Sequence, residues 1–375
     1  MTRELIRLSK SSIGNEEISA VTRVLEKEYL GMGEEVQQFE HALSRFFGRE
    51  VVCVVNGTAA LQLALEAAGI GQGDEVLVQS LTYVASFQAI TAAGARPIAC
   101  EISQQTLTID LNDAKAKLTP KVKAIMPVHY GGGVGDLSEI YSFAKDNKLR
   151  VIEDAAHAFG SIYNLEKVGG IGDIACFSFD GIKNITSGEG GCIVTNDQNI
   201  LRKAKDLRLL GVERDTEKRY SGLRSWEFDV KEQGWRCHMS NIMAAIGIEQ
   251  LKKIEKISSI RQKLAKKYDS LLGAASGIRL LENDYSYVVP HIYVVMLEDA
   301  SKRKQIREKL ECIGIQTGIH YQPNHKLSYF YNETNNHLPV TDDIYSRLIS
   351  LPLHLDIQES DIEYICEELI RALNE

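Results

Sequence analysis

Short apolar runs alternate with helical patterns between residues 51 and 200 of this chain. The runs are VVCVV (51–55), EVLVQS (75–80), RPIAC (96–100), VKAIMPV (122–128), LRVIE (149–153), IACFSF (174–179) and GCIVT (191–195). Most of them are continuously apolar, which is typical of strands that are buried on both faces. The segments between them, such as AALQLALEAAG and LSEIYSFAKDN, repeat their apolar residues at helical spacing. This alternation predicts an α/β fold in which helices cover both faces of a mostly parallel sheet.

The rest of the chain predicts one N-terminal helix and a smaller second domain. NEEISAVTRVLEKE predicts a helix that packs on the large domain, and residues 240–273 predict a long connecting helix. Beyond it, strands at 287–297 and 316–321 alternate with the helical patterns KRKQIREKLEC and ESDIEYICEELIRALN. We therefore predict a large α/β domain over residues 1–245 and a small α+β domain over residues 246–375.

Composition and charge exclude several classes of protein. The 375 residues are 44% hydrophobic and 25% charged, which is ordinary for a globular protein. A net charge of -8 without a long basic run argues against nucleic acid as a main partner. Seven scattered cysteines without a CxxC pair indicate reduced thiols. The N-terminus lacks an apolar signal region, and no apolar stretch approaches the roughly 20 residues of a membrane helix. We expect a cytoplasmic protein without a membrane partner.

The first candidate site is the segment Asn56-Gly57-Thr58-Ala59-Ala60, which links the first buried run to a helix. Free backbone N–H groups and the positive end of a helix make such a turn an anion site. We expect Thr58 to be the N-cap, and Gly57, Thr58 and Ala59 to be candidate anion contacts. An ordinary capped helix would have the same pattern.

The second candidate site follows the run LRVIE. Carboxylates at the carboxyl ends of parallel strands point into the crevice where open α/β sheets bind ligands. Asp154 could keep a pyridine nitrogen protonated, and His157, three residues on, could contact the same ligand. Two alternatives stay open at this point: Asp154 could cap a helix, and His157 could be a core or surface histidine.

The third candidate site is Lys183, which lies in FSFDGIKNITSGEGG (177–191) between two buried runs. Poor solvation there would lower its pKa and supply the neutral amine that attacks an aldehyde. Ser178 could bind a phosphate oxygen, and the glycines let the backbone approach a ligand closely. A solvated loop lysine is the alternative.

Together, the three sites offer an anion cradle, a carboxylate for a ring nitrogen and an amine for an aldehyde. Pyridoxal 5'-phosphate (PLP) carries all three complementary groups. Tyr83 follows another strand end, in SLTYVAS, and could stack on a planar cofactor. Simple helix packing would also account for an aromatic residue at this position.

The ordered motifs NGTAAL, GDEVLVQSLTYVAS, EDAAHAFGS and FSFDGIKNITSGEGG resemble the DegT/StrS-type sugar-nucleotide aminotransferases of fold type I. The resemblance covers nearly the whole chain. It implies PLP-dependent transfer of an amino group, with L-glutamate as the expected donor, to C3 or C4 of a nucleotide-linked 6-deoxy keto hexose by a ping-pong mechanism. It also implies a homodimer with the active site at the interface. The amino sugar would enter an O-antigen of lipopolysaccharide, a capsule or a secondary metabolite, and the carrier nucleotide stays open.

The resemblance implies roles for individual residues. Lys183 corresponds to the lysine that forms a Schiff base with the cofactor, and Asp154 to the partner of the ring nitrogen. His157 corresponds to the residue near the phenolic oxygen, and Tyr83 to the aromatic that stacks on the ring. The residues that correspond to phosphate contacts are Thr58, Ala59 and Ser178.

Two further segments are tied to the resemblance. Members often have a G-Y-N-Y-R-M-like run that reaches the cofactor phosphate of the other subunit. Here the run is GWRCHM, so Arg236 and His238 replace the usual Asn and Arg. They could still contact a phosphate, or they could only pack the dimer interface. His320 and Tyr321 lie in a segment that resembles the H-Y-x-P loop near the substrate.

Other classes fit the sequence less well. In a related branch of PLP-dependent sugar dehydratases the lysine is replaced, usually by histidine, but Lys183 is present. A non-catalytic regulator on the same fold would not need Lys183, Asp154 and Ser178 together. A nicotinamide-dependent dehydrogenase is disfavoured because no G-x-G-x-x-G follows the first strand. The nine histidines lack paired ligand spacing, so we predict no metal site.

Overall fold

The computed structural model describes residues 5–331 and 337–375. The strands are β1 (Glu50–Val54), β2 (Glu75–Gln79), β3 (Arg96–Cys100), β4 (Val122–Met126), β5 (Arg150–Asp154), β6 (Ile162–Tyr163), β7 (Glu166–Lys167), β8 (Ile174–Ser178), β9 (Gly191–Thr195), β10 (Ile278–Leu280), β11 (Tyr293–Leu297) and β12 (Leu348–Leu351). The α-helices are α1 (Asn15–Glu26), α2 (Glu34–Phe47), α3 (Gly57–Ala67), α4 (Val84–Ala92), α5 (Leu111–Ala116), α6 (Leu137–Asp146), α7 (Gln198–Leu207), α8 (Asp215–Tyr220), α9 (Asn241–Lys252), α10 (Ile254–Leu272), α11 (Arg303–Cys312), α12 (Pro339–Arg347) and α13 (Glu359–Asn374).

The larger part of the chain is built around a seven-stranded sheet, in the order β1-β9-β8-β5-β4-β2-β3. β9 pairs antiparallel with both of its neighbours. The other pairs, from β8 to β3, are parallel. The apolar runs of the sequence coincide with these strands, which confirms the predicted α/β architecture with a mostly parallel sheet.

Helices cover both faces of this sheet. In β1, Val52 and Val54 belong to a core formed with α3, α4 and α7. The alternate residues Val51 and Cys53 belong to a second core, formed with α2, α6 and α9. Both faces of the strand are therefore withdrawn from water, which is why its sequence is continuously apolar.

The C-terminal part is a smaller α+β unit. β10, β11 and β12 form an antiparallel sheet. Its core is shared with α10, α11 and α13 and contains the stacked rings of Tyr268 and Tyr293, whose centroids are 4.4 Å apart. Ile6 forms a bridge with Ile315, so the first described residues attach to this unit. The domain boundary after residue 245 stays a prediction.

Three predicted elements differ from the structure. The connecting helix at 240–273 is interrupted at Lys253, whose side chain pairs with the buried carboxylate of Glu17. In the predicted strand at 287–297, only Tyr293–Leu297 is extended, because the N–H groups of Val289 and His291 bond to loops of the larger unit. The predicted strand at 316–321 is mainly a loop, and this loop carries two of the candidate site residues.

The sequence predicted reduced thiols and no membrane-spanning helix. All seven cysteines are free thiols, and five of them are buried. α10 spans 19 residues but carries several charges along its length. Within residues 5–331 and 337–375, no helix combines the length and apolar composition needed to cross a membrane.

Candidate active site

A cavity of about 450 Å³ lies where the carboxyl ends of β5 and β8 meet the start of α3. The loop at 320–321 contributes to its wall from the C-terminal unit. The predicted site residues that line this cavity are Gly57, Thr58, Tyr83, Asp154, His157, Ser178, Lys183, His320 and Tyr321. Residues separated by up to 264 positions in the chain are thus brought to one cavity. The predicted site residues Ala59, Arg236 and His238 are not among those that line it.

Lys183 lies in the loop that follows β8. The buried side chain of Asn184 anchors this loop by donating to the carbonyl of Phe159 at 3.0 Å. Burial lowers the pKa of Lys183 to about 8, against the opposing effect of the carboxylates of Asp154 and Asp180. Near neutral pH the amine is therefore neutral far more often than a free lysine, as a nucleophilic or proton-accepting lysine requires.

Asp154 is the last residue of β5 and is almost fully buried. The Ser86 hydroxyl donates to its Oδ2 at 2.7 Å, and the Ala156 N–H donates to its Oδ1 at 3.3 Å. The segment that follows forms turns instead of a helix, so Asp154 is not a helix cap. A fixed carboxylate at the bottom of a cavity is suited to accept a hydrogen bond from a protonated ring nitrogen.

The start of α3 forms an anion cradle. Asn56, not Thr58 as predicted, is the N-cap, because its Oδ1 accepts the N–H of Ala59 at 2.8 Å. Helix geometry leaves the N–H groups of Gly57 and Thr58 without intrahelical partners. A Cβ on Gly57 would lie 2.8 Å from the Cβ of Ser178, so only glycine lets the helix approach Ser178 this closely.

His157 is a buried histidine fixed on both ring nitrogens. Its Nδ1 accepts the N–H of Gly131 at 3.3 Å, and its Nε2 lies 3.0 Å from the Tyr321 hydroxyl. Burial, assisted by the charge of Lys183, lowers the pKa of His157 well below 6.5, so the ring is neutral. It can therefore take part in hydrogen bonds to a neutral or anionic ligand oxygen without adding charge to the cavity.

Tyr83, His320 and Tyr321 also line the cavity. Tyr83 is 57% exposed, and its ring centroid lies 5.4 Å from that of Tyr321 at an angle of 50°. The Nδ1 of His320 lies 2.7 Å from the Ser350 hydroxyl, and the His320 carbonyl accepts the Tyr130 hydroxyl. Burial lowers the pKa of His320 to about 4. The aromatic rings can cover a planar ligand while the loop stays fixed.

Arg236 and His238 lie outside the cavity, along the edge of β1 that does not pair with β9. The Val55 N–H donates to the carbonyl of Cys237 at 2.7 Å, and His238 forms a bridge with Val54. Arg236 is exposed, whereas the Nδ1 of His238 is buried without a partner among the described residues. Their predicted contact is to a second subunit, so their role stays a prediction.

Among the cavity-lining residues that the sequence analysis did not propose are Asp180, Glu189 and His291. Asp180 and Glu189 lie within the Lys183 motif but had no assigned role. His291 is 108 positions from Lys183, yet its Nε2 lies 3.4 Å from the lysine Nζ. The only local signal was a polar residue next to a buried strand, which does not distinguish a site residue from a structural one.

The residues around the cavity fit PLP. The N–H groups at the start of α3 that have no partner within the helix, and the close approach that Gly57 permits, suit its phosphate. Asp154 suits the ring nitrogen, and the amine of Lys183 suits the aldehyde. In the part of the chain that the structure describes, no group of three or more histidine, cysteine, aspartate or glutamate side chains could hold a metal ion.

Comparisons with known proteins agree with this fit. A model of the DegT/DnrJ/EryC1/StrS aminotransferase family matches residues 11–370. The spore coat polysaccharide biosynthesis protein SpsC of Bacillus subtilis is 35% identical over 366 residues, which cover 95% of this chain and 94% of SpsC.

Solved structures extend the likeness to the fold. PseC of Helicobacter pylori, an aminotransferase involved in the biosynthesis of pseudoaminic acid, superposes with a TM-score of 0.91 at 26% identity, over 99% of this chain and 100% of PseC. NtdA of Bacillus subtilis, solved with the bound cofactor PMP, superposes with a TM-score of 0.85 at 28% identity, over 98% of this chain and 86% of NtdA. The predicted fold type I architecture is thereby confirmed. The chain belongs to the DegT/DnrJ/EryC1/StrS aminotransferase family, as its ordered motifs predicted.

Proposed function

We propose that this enzyme transfers an amino group from L-glutamate to C3 or C4 of a nucleotide-linked 6-deoxy keto hexose, by a ping-pong mechanism. The observation that carries the proposal is the convergence of Lys183 and Asp154 on one cavity, beside the N-terminus of α3. The family and the names of its relatives support a sugar substrate. The carrier nucleotide, the pathway of the product and the cytoplasmic location stay predictions.

PLP is the cofactor, and this prediction is confirmed by the family and by the PMP form in NtdA. When bound, it supplies an aldehyde that captures amines and a ring that delocalises negative charge. In this chain, the N–H groups of Gly57 and Thr58 and the hydroxyl of Ser178 would hold its phosphate. Asp154 would bind its ring nitrogen, and Tyr83 would cover its ring.

Lys183 would serve as the proton carrier once its amine is free. With a pKa of about 8, its Nζ can take a proton from the donor carbon and return one at the end of the transfer. The same amine can act on the donor and on the sugar, because a ping-pong enzyme binds them in turn at one site. A dehydratase or a non-catalytic regulator would not need this lysine.

His320 and Tyr321 would face the substrate. The Tyr321 hydroxyl bonds to His157, and His320 bonds to Tyr130 and Ser350, so the loop is tied to both parts of the chain. A fixed aromatic wall excludes water from the reacting atoms and gives a sugar ring a surface to pack on.

A substrate test separates this function from the alternatives. The purified enzyme, loaded with PLP, is incubated with L-glutamate alone, and the release of 2-oxoglutarate is followed. We expect one equivalent per active site without a keto sugar, and continued turnover when the correct nucleotide-linked keto sugar is added. If no 2-oxoglutarate were released until the keto sugar was also present, the ping-pong mechanism would be excluded. Loss of water from the sugar would indicate a dehydratase.

We also propose that the enzyme is a homodimer. Ile13 and Ile18 are about half exposed, and with Gly181 and Gly188 they line an apolar groove next to the Lys183 loop. Trp226 is 88% exposed, in the segment that leads to Arg236 and His238. Large apolar side chains exposed this close to a catalytic loop are suited to a second copy of the chain.

Subunit mixing tests whether the partner completes the site. A heterodimer of K183A with the double variant R236A/H238A has one site with all residues intact only if Arg236 and His238 act across the interface. We expect each homodimer to be impaired and the purified heterodimer to recover about half of the wild-type activity, since one of two sites is complete. If the heterodimer were no more active than the R236A/H238A homodimer, Arg236 and His238 would belong to their own subunit's site. If the R236A/H238A homodimer were fully active, neither residue would be needed.

A further inference from the structure

The side chain of His291 lies within hydrogen-bond distance of the amine of Lys183. Its Nε2 lies 3.4 Å from Nζ, and its ring centroid lies 4.4 Å from that of His157. The residue is only 4% exposed, so it does not sit there as a surface side chain. It belongs to the segment that enters β11, and it therefore brings the C-terminal unit into contact with the catalytic loop.

A hydrogen bond to the backbone of Gly131 fixes the position of His291. The His291 N–H donates to the carbonyl of Gly131 at 3.1 Å, while the N–H of the same Gly131 donates to His157. Gly131 has a φ of 65°, a conformation that glycine adopts without strain. One glycine thus orients both histidines.

The side chain of a buried arginine donates hydrogen bonds to the backbone at His291. Arg261 is 3% exposed, and its Nη1 donates to the carbonyls of Pro290 and His291 at 3.3 and 3.2 Å. Burial lowers the pKa of His291 well below 6.5, and the positive charges of Lys183 and Arg261 act in the same direction. The imidazole is therefore neutral and can accept a hydrogen bond through one nitrogen.

The protonation of Lys183 has several other determinants. Burial disfavours its charged form, whereas the carboxylates of Asp154 and Asp180 favour it, and Arg261 adds to the effect of burial. His157 and His320 are neutral at physiological pH, so they add no fixed charge near it. A hydrogen bond from Nζ to a neutral imidazole is stronger for the ammonium than for the amine, and removing it lowers the pKa of the lysine.

We propose that His291 is a positioning residue for Lys183: its Nε2 accepts a hydrogen bond from Nζ and so directs the amine toward the reacting atoms. In this arrangement the proton of the ring lies on Nδ1, which is buried and has no partner among the described residues. The inference rests on the proposed role of Lys183 as the proton carrier.

A matched pair of amide variants tests this position. In H291Q the side-chain oxygen can reach the place of Nε2, whereas in H291N it falls one methylene short. In the cofactor-free protein, the rate at which Lys183 reacts with cyanate is measured against pH by peptide mass spectrometry. We expect the pH midpoint to fall by about one unit in H291N, the shift for loss of one charge-assisted hydrogen bond, and to stay at the wild-type value in H291Q.

Activity of the PLP-loaded enzyme provides the second readout. We expect kcat to fall on the order of 10-fold to 100-fold in H291N with little change in KM, because the reacting amine would be misdirected. We expect H291Q to retain most of the wild-type kcat. H354N, at another buried histidine that does not line the cavity, is the control for loss of a core imidazole. The proposal would be overturned if H291N and H291Q both kept the wild-type kcat and the wild-type pH midpoint of the cyanate reaction. It would also be overturned if both variants lost kcat equally without a shift in that midpoint. An active K183A enzyme would instead overturn the proposed function.

Discussion

Replacing Lys183 with alanine is expected to reduce turnover on the order of 10⁴-fold or more, because one amine is proposed to hold the cofactor and to carry the proton. The variant should also lose the visible absorbance of the lysine-bound cofactor. Turnover is measured as the formation of 2-oxoglutarate with the keto sugar in excess, and the absorbance spectrum is recorded on the same preparation.

Two controls make the result specific. Lys183→Arg keeps a positive charge at the position but lacks a nucleophilic amine, and we expect it to be as inactive as the alanine variant. K167A removes an exposed lysine that packs over the ring of Phe46, away from the cavity, and should leave turnover unchanged. If K183A retained turnover close to wild type, the assignment of the catalytic lysine would be wrong.

Replacing Asp154 with asparagine is expected to lower kcat on the order of 100-fold or more, similar to the loss of a preorganised electrostatic contact. The amide has nearly the shape of the carboxylate but cannot keep a ring nitrogen protonated, so negative charge is delocalised less well. The rate of the half-reaction with glutamate alone, followed by stopped-flow absorbance, measures this effect without the sugar substrate.

A neighbouring variant separates charge from hydrogen bonding. S86A removes the hydroxyl that donates to Asp154 at 2.7 Å but leaves the carboxylate in place, so we expect a much smaller loss than in D154N. Equal losses in the two variants would indicate that the position of the side chain matters more than its charge.

The local pattern of the chain predicted most of the larger unit, and the reason is physical. Strands buried on both faces are mostly continuous apolar runs, and each of the seven strands coincides with one of the runs predicted from the sequence. The C-terminal unit was predicted less well, because residues 287–292 are apolar but bond to loops of the larger unit instead of extending β11. Periodicity cannot indicate such long-range backbone partners.

Local sequence patterns likewise predicted some residues of the candidate site and missed others. Asp154 and Ser178 end β5 and β8, and Lys183 lies in the loop after β8; all three lie within recognisable motifs, and the structure brings them to one cavity. His291 was missed because it comes from the other unit. Asn56 was missed as the N-cap because Thr58, two residues on, is also a common capping residue.

The central claim is that the amine at position 183 captures the cofactor. The PLP-loaded enzyme is reduced with borohydride, which makes the link to the lysine permanent, and is then digested and mapped by mass spectrometry. We predict that the mass of the reduced cofactor is found on the peptide that contains Lys183, in nearly stoichiometric amount. Its appearance on another lysine, or on none, would contradict the account.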